Sequence, residues 1–260
     1  MNCIHILGRT PMENDTKNKL LAIAVGIVLI IAVVASIPSR TPQGANDKEV
    51  FTKIYDVNMW GGKGSGIGAI KGNAIPFLTY LQDFINSNHI TSIVDIGCGD
   101  WELMKYINIP QGVNYMGVDI VDRLIANNIR DYAKDNIKFS TVNNMEDLTK
   151  YEGDLLIIKD VMQHWDTVSI WFAINRILPN FKYAILVNNF ESEGAPPVNS
   201  DILTGSSRPL DLEAAPFFMK LRVIGDYRLP RRMKRMYLYV ADDQMKKTSN
   251  SSTSTDTNKQ

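Results

Sequence analysis

The stretch Ser92-Ile93-Val94-Asp95-Ile96-Gly97-Cys98-Gly99-Asp100-Trp101 leaves this chain few folds to adopt. Ile93 to Ile96 is a short, apolar, β-branched run with an acid near its end, the pattern of a buried strand. The run stops at Gly97, where a strand must turn sharply. Glycine takes the backbone angles that such a turn needs and lets a ligand reach the main chain. Asp100 to Ile107 then reads as a helix, with acids in its first turn where the macrodipole favours them. Strand, glycine turn and helix together build a nucleotide-type crevice at the carboxyl end of a parallel strand.

A second strand, Val113 to Asp119, ends in an acid 22 residues after Gly97. An acid about 20 residues beyond a glycine turn sits beside the first strand and accepts hydrogen bonds from ribose hydroxyls. Two nucleotide chemistries share this layout. A dinucleotide site requires Gly-x-Gly-x-x-Gly, with the pyrophosphate on the helix N-terminus. Here Glu102 stands in place of the third glycine, and Asp100 and Glu102 would repel a pyrophosphate. A cofactor without phosphate fits better. S-adenosylmethionine is one, and its ammonium suits an acid such as Asp95.

Strands and helices alternate from there. Val121 to Lys134 reads as a helix and Asn136 to Val142 as the third strand. That strand ends at Asn143-Asn144, where an amide can both donate to and accept from an adenine edge. Glu152 to Asp160 is the fourth strand, and its Leu155-Leu156-Ile157-Ile158 run implies burial on both faces at the centre of a parallel sheet. Asp166 to Leu178 reads as a helix stopped by Pro179, and Tyr183 to Asn188 as the fifth strand. A long polar connection follows, Phe190 to Ala215, with a short helix over Ala215 to Lys220. Arg222 to Leu229 and Arg235 to Val240 form a hairpin around Pro230-Arg231-Arg232, so one of the two runs antiparallel. The expected class is α/β: a Rossmann-like seven-stranded sheet, mostly parallel with a C-terminal antiparallel hairpin, flanked by helices.

Ahead of this domain, residues 1–19 are polar and Leu20 to Ile37 is an uncharged apolar run of 18 residues. As a helix it would span ~27 Å, close to a hydrocarbon core. The expectation is one N-terminal transmembrane helix over 20–37 and a single-pass membrane protein, the side of its domain left open by Lys17 and Lys19 before the run and Arg40 after it. A cleaved signal peptide is the alternative, because Val34-Ala35-Ser36 resembles a cleavage site. Residues 38–46 read as a linker, 47–242 as the domain, and 243–260 as a disordered low-complexity tail. Within the domain, Asp47 to Val57 and Asn73 to Asn86 read as helices. Met59 to Gly68, with five glycines, is either a flexible loop or a lid over the crevice.

The chain resembles the class I S-adenosylmethionine-dependent methyltransferases. The resemblance rests on Val94-Asp95-Ile96-Gly97-Cys98-Gly99, Asp119, the Asn143 position, Asp154 to Asp160 and the terminal hairpin, and covers roughly residues 50–242. Lys159-Asp160-Val161-Met162-Gln163-His164-Trp165, Trp60-Gly61 and Arg208-Pro209-Leu210-Asp211-Leu212 look like an uncharacterised subgroup of them. The resemblance implies S-adenosyl-L-methionine as cofactor, with Asp95, Gly97, Cys98, Gly99, Asp119, Ile120 and Asn143 around it. Asp95 would face the methionine ammonium and Asp119 the ribose. Asn143 stands where many members carry an acid.

Methyl transfer needs proximity, alignment and, for some acceptors, a base. Asp160, at the end of the fourth strand, and His164, one helical turn on, are the catalytic candidates; the alternative is that Asp160 holds loop amides and His164 is a packing histidine. Arg208 is a candidate for binding a carboxylate or phosphate of the acceptor, or else a solvated loop residue. Arg231, Arg232, Lys234 and Arg235 read as a basic, solvated turn, with contact to anionic lipid heads near a membrane as the alternative. The chain carries 28 basic and 28 acidic residues, so no global charge points to nucleic acid, and none is expected as partner. The acceptor is read as a glycan or other small polar molecule. Cys3 and Cys98 offer neither a disulfide framework nor a zinc site, and no metal is expected. A nicotinamide-dependent oxidoreductase and a non-catalytic binding module are the rival readings.

Overall fold

The structure is a computed structural model that describes residues 44–62 and 64–241. Its strands are β1 (Ser92–Ile96), β2 (Asn114–Asp119), β3 (Ile137–Thr141), β4 (Gly153–Lys159), β5 (Phe181–Ser192), β6 (Arg222–Leu229) and β7 (Arg232–Val240). They form one sheet in the order β3-β2-β1-β4-β5-β7-β6. β1 to β5 are parallel, and β7 runs antiparallel between β5 and β6. The α-helices are α1 (Gly44–Asp56), α2 (Ile75–Ser87), α3 (Asp122–Tyr132) and α4 (Thr167–Phe172).

The period of two along each strand divides the core into two layers. Leu155 and Ile157 of β4 pack with Ile93, Tyr115 and Ile185 against Phe77 and Leu81 of α2. Leu156 and Ile158 pack with Val94, Ile96 and Leu186 against Ile170, Ala173 and Leu178 on the other face. All four β4 residues are fully buried, as a strand covered on both faces requires.

Several expectations are corrected. Asp100 to Ile107 is not an α-helix: a turn leads into a single 3₁₀ turn, Met104–Tyr106. Trp101 takes φ +56°, left-handed backbone that interrupts a right-handed helix at its start. The Asp166–Leu178 helix is shorter. Asp166 caps α4 by accepting from the Ser169 N–H at 2.7 Å, but after Phe172 the chain widens into a π turn, Ala173–Ile177, and closes in a 3₁₀ turn containing Pro179. Ala215 to Lys220 holds turns rather than a helix. β7 starts at Arg232, not Arg235, because it pairs along its length with an extended β5 on one side and β6 on the other.

The membrane-spanning part of the expected fold is also corrected: among the described residues no helix is long and apolar enough to cross a membrane. The segment 20–37, like residues 1–19 and 243–260, lies outside the described residues.

Candidate active site

The chain runs from β1 outward to β2 and β3, then returns to lay β4 on the other flank of β1. In an open α/β sheet a crevice opens where the order reverses, beyond the carboxyl ends of the strands. A cavity of about 260 Å³ lies there. Its floor is the glycine turn after β1 and the ends of β2 and β4. Its cover comes from α1 and the glycine-rich loop, through Tyr55, Trp60, Ser65 and Gly68.

One wall is acidic. Gly97 has φ +72° and a Cβ there would overlap Val161 Cγ2, so the turn is closed to other side chains. Gly97 and Cys98 both donate their N–H to Val118 O, at 2.8 and 3.1 Å. Asp119 holds the rest of the turn: Oδ2 accepts from Gly99 N–H and Oδ1 from Val121 N–H, each at 3.0 Å. Burial raises its pKa against those amide bonds. Each carboxylate oxygen has a second lone pair, so Asp119 keeps acceptor capacity for a ligand. Asp95 is 4% exposed and accepts from the Tyr115 hydroxyl at 2.6 Å, which in turn accepts from Trp101 Nε1–H at 2.8 Å. Burial pushes Asp95 up to about 7, with the Tyr115 hydrogen bond and Lys159 opposing it. Asp100 Oδ2 is buried without a hydrogen-bond partner among the described residues. Cys98 and Ile120 also line the cavity. Burial, then Asp119 and Asp95, raise the Cys98 thiol well above its usual range, which leaves it a small packing residue rather than a nucleophile.

The opposite wall is basic. Asp160 follows β4 in left-handed backbone, φ +61°, a conformation that concentrates at functional sites. Lys159 Nζ donates to its Oδ2 at 2.5 Å and to Gly68 O at 3.0 Å. Lys234 Nζ donates to its Oδ1 and to Gln163 Oε1. Burial disfavours the Asp160 carboxylate, but the two ammonium groups outweigh it and hold the carboxyl well below the usual range. Burial lowers Lys234 to about 8 against the pull of Asp160. Gln163 is fixed in turn, because its Oε1 accepts from Asn189 N–H at 2.6 Å.

His164 lines the cavity with both ring nitrogens engaged. Nδ1 faces the Ser206 carbonyl at 2.8 Å, and a carbonyl only accepts, so Nδ1 carries the proton. Nε2 then accepts from the Gln163 amide at 3.2 Å. Burial pushes the imidazole down to about 4, against the Ser206 bond, so it is neutral at pH 7. The Trp60 ring lies over it with centroids 4.7 Å apart, and Tyr55 and Phe51 pack on Trp60.

Asp95, Gly97, Cys98, Gly99, Asp119, Ile120, Asp160 and His164 are thus brought to one cavity. Asn143 and Arg208 do not line it. Asn143 Oδ1 accepts from Lys48 at 3.2 Å, and its neighbour Asn144 lines the cavity instead. Arg208 is 1% exposed, with Nη1 donating to Trp165 O at 2.8 Å. Sequence reading gave Trp60 only as part of a loop or lid and Lys234 only as part of a basic turn, and it missed Tyr115. The alternation Arg232, Lys234, Met236 would have set Lys234 on an inward face had the strand been started early enough.

No protein-family model and no curated protein matches the chain. Among solved structures, magnesium protoporphyrin IX methyltransferase (ChlM) from Synechocystis PCC 6803 with bound SAM resembles it at TM-score 0.54 and 15% identity, over 78% of this chain and 100% of that one. With bound SAH the same protein gives 0.52 and 14%, over 75% and 98%. The DhpI–SAH complex gives 0.50 and 12%, over 78% and 100%. The likeness carries the fold alone: the chain shares its sheet with these proteins, which were crystallised with SAM or SAH (S-adenosylhomocysteine).

Proposed function

We propose that the chain is an S-adenosylmethionine-dependent methyltransferase acting on a small molecule. The observation that carries the reading is the acidic wall under the glycine turn, where Asp95, Asp100 and Asp119 face one cavity. That wall fits a cofactor that is cationic at its sulfonium and ammonium, and Asp100 Oδ2 is an unpaired acceptor within it. It does not fit a pyrophosphate. A dinucleotide also needs a helix N-terminus at the glycine turn, and Asp100 to Ile107 supplies a turn instead.

When bound, the cofactor supplies a methyl group on a sulfonium that leaves readily. Asp119 would hold the ribose while still clamping the Gly99 and Val121 amides. Asp95, oriented by Tyr115, would hold the ammonium. The loop carrying Trp60 and Ser65 would cover the bound cofactor, tied down where Ser65 Oγ meets Tyr55 Oη at 3.1 Å. Asp160 fixes the two lysines of the other wall rather than taking a proton, because both its oxygens are already held by ammonium groups.

Calorimetric titration of the full-length chain with SAM, SAH and NADH tests this. Binding of both adenosyl ligands with a dissociation constant of about 1–100 μM, weakened at least ~tenfold in Asp119→Ala by loss of charge-assisted hydrogen bonds, is expected. Binding of NADH alone would establish the oxidoreductase, and a folded chain that binds none of the three would leave a non-catalytic module.

A further inference from the structure

The charge layout of the cavity bears on the acceptor. Against the carboxylates of the β1–β2 side, the β4–β7 side carries Lys159, Lys234 and Arg232 with one carboxylate, Asp160. Each lysine ammonium has three donors and spends two within the protein, Lys159 on Asp160 and Gly68, Lys234 on Asp160 and Gln163. Each keeps one N–H. Asp160 is the one carboxylate that pairs with these two ammonium groups, and the other acid acting on Lys159, Asp95, is pushed up by burial to about 7, so positive charge exceeds negative charge around them, with the Lys159 and Lys234 side chains only 10% and 2% exposed. A buried net charge is costly until a counter-ion arrives. The same cavity offers an apolar surface, the Trp60 ring, packed on His164 and backed by Phe51 and Tyr55. A sulfonium and an ammonium are cations and belong with the acidic wall. What fits the basic wall is an anion with an apolar body.

We infer that the methyl acceptor is an organic acid, bound as its carboxylate by the free N–H groups of Lys159 and Lys234 and by Arg232, with its apolar part against Trp60. This rests on the methyltransferase reading. The same carboxylate chemistry could come from the cofactor's own methionine, so the test must separate the two sources.

The probes are SAH, benzoate and benzamide, the last matching benzoate in shape without its charge. SAH is titrated first into the full-length chain, and benzoate and benzamide then into the SAH-saturated protein. Benzoate is expected to bind at least ~tenfold more tightly than benzamide, the value of one charge-assisted hydrogen bond. Lys234→Met should weaken benzoate by at least ~tenfold, and Arg232→Ala, at an exposed position that leaves the buried pair intact, by ~threefold or more, with SAH binding unchanged in Arg232→Ala. Equal binding of benzoate and benzamide to the SAH complex, or full benzoate affinity in both variants, overturns the inference while leaving the methyltransferase standing. Competition between benzoate and SAH overturns it too, by assigning the anion site to the cofactor's carboxylate. A folded chain that binds benzoate but not SAH refutes the methyltransferase, and with it an acceptor role for the anion.

Discussion

Binding of SAH should release a proton from Asp95, in an amount fixed by pH. Burial holds this carboxyl at about 7 in the free chain. It is then about 90% protonated at pH 6, half at pH 7 and about 10% at pH 8. An ammonium within ~4–6 Å lowers a carboxyl pKa by about 1–3 units. A shift of about two units gives a release of ~0.8 proton at pH 6, ~0.5 at pH 7 and ~0.1 at pH 8. The assay is calorimetry in buffers of different ionisation enthalpy, whose slope counts protons. Asp95→Asn should flatten the slope at every pH. A slope of zero at pH 6 and 7, or one that Asp95→Asn leaves unchanged, refutes the placement of the ammonium at Asp95. The free chain supplies a companion measurement. Because the folded pKa is raised, the contribution of Asp95 to stability is complete below the unfolded value of 3.8 and is lost as pH rises to about 7. The full loss is about 4 kcal/mol, from roughly three units at ~1.4 kcal/mol each.

Three other perturbations separate the parts of the site. Gly97→Ala should destabilise by about 2–4 kcal/mol in urea unfolding, because the new methyl group overlaps Val161 in left-handed backbone. Adding Val161→Ala should recover the overlap and leave about 1 kcal/mol of backbone strain; no recovery would show that the side-chain overlap is not the cause. His164 has a folded pKa lowered from 6.5 to about 4, so its contribution is complete above pH 6.5 and is lost as pH falls toward 4. The loss is about 3 kcal/mol, and nitrogen chemical shifts should show a neutral, Nδ1-protonated ring at pH 6; an imidazolium there would break the argument. Asp154 ties β4 to the start of β1, accepting from the Thr91 N–H at 2.7 Å and hydroxyl at 2.6 Å and pairing with Lys182 at 2.5 Å. Those partners hold its carboxyl at about 2 against burial, so Asp154→Asn should cost about 2–4 kcal/mol at pH 7, and the difference should shrink as pH falls from 3.8 toward 2.

What the sequence discloses and what it hides follow a physical division. The run Leu155 to Ile158 announces a central strand because burial on both faces leaves no polar position in it. Gly97, Gly99 and Asp119 are readable because the turn and the acid that clamps it are fixed by local backbone and one adjacent strand pairing, Asp95 opposite Gly117. Asp100 to Ile107 misleads because its acids and apolar residues suit a helix, while Trp101 is drawn inward to the Tyr115 hydroxyl by a bond no local rule contains. The choice between Asn143 and Asn144 depends on the path of the turn after β3, where Asn143 N–H is bound by Asp147 Oδ2 at 2.8 Å. Arg208 lies on a connection whose course is set by remote backbone contacts such as Gly205 N–H to His164 O at 2.9 Å, so its burial could not be read from a loop of polar composition.

The same division separates the two walls of the cavity. The acidic wall comes from residues 95–119, consecutive pieces of one strand–turn–strand unit. The basic wall joins Asp160 to Lys234, 74 positions apart, and that meeting depends on β7 inserting antiparallel between β5 and β6 with Lys234 opposite Asn189. A hairpin read alone gives Arg231, Arg232, Lys234 and Arg235 as one solvated knot. The register divides them, leaving Arg231 in the turn, pairing Arg235 with Asp226 at 2.8 Å, and burying Lys234 against Asp160. A wall built from neighbours in the chain and a wall built from distant strands need not vary together. On the reading proposed above, Asp95, Gly97 and Gly99 therefore speak for the methyl donor, and Lys234, two positions into β7, speaks for what receives the methyl group.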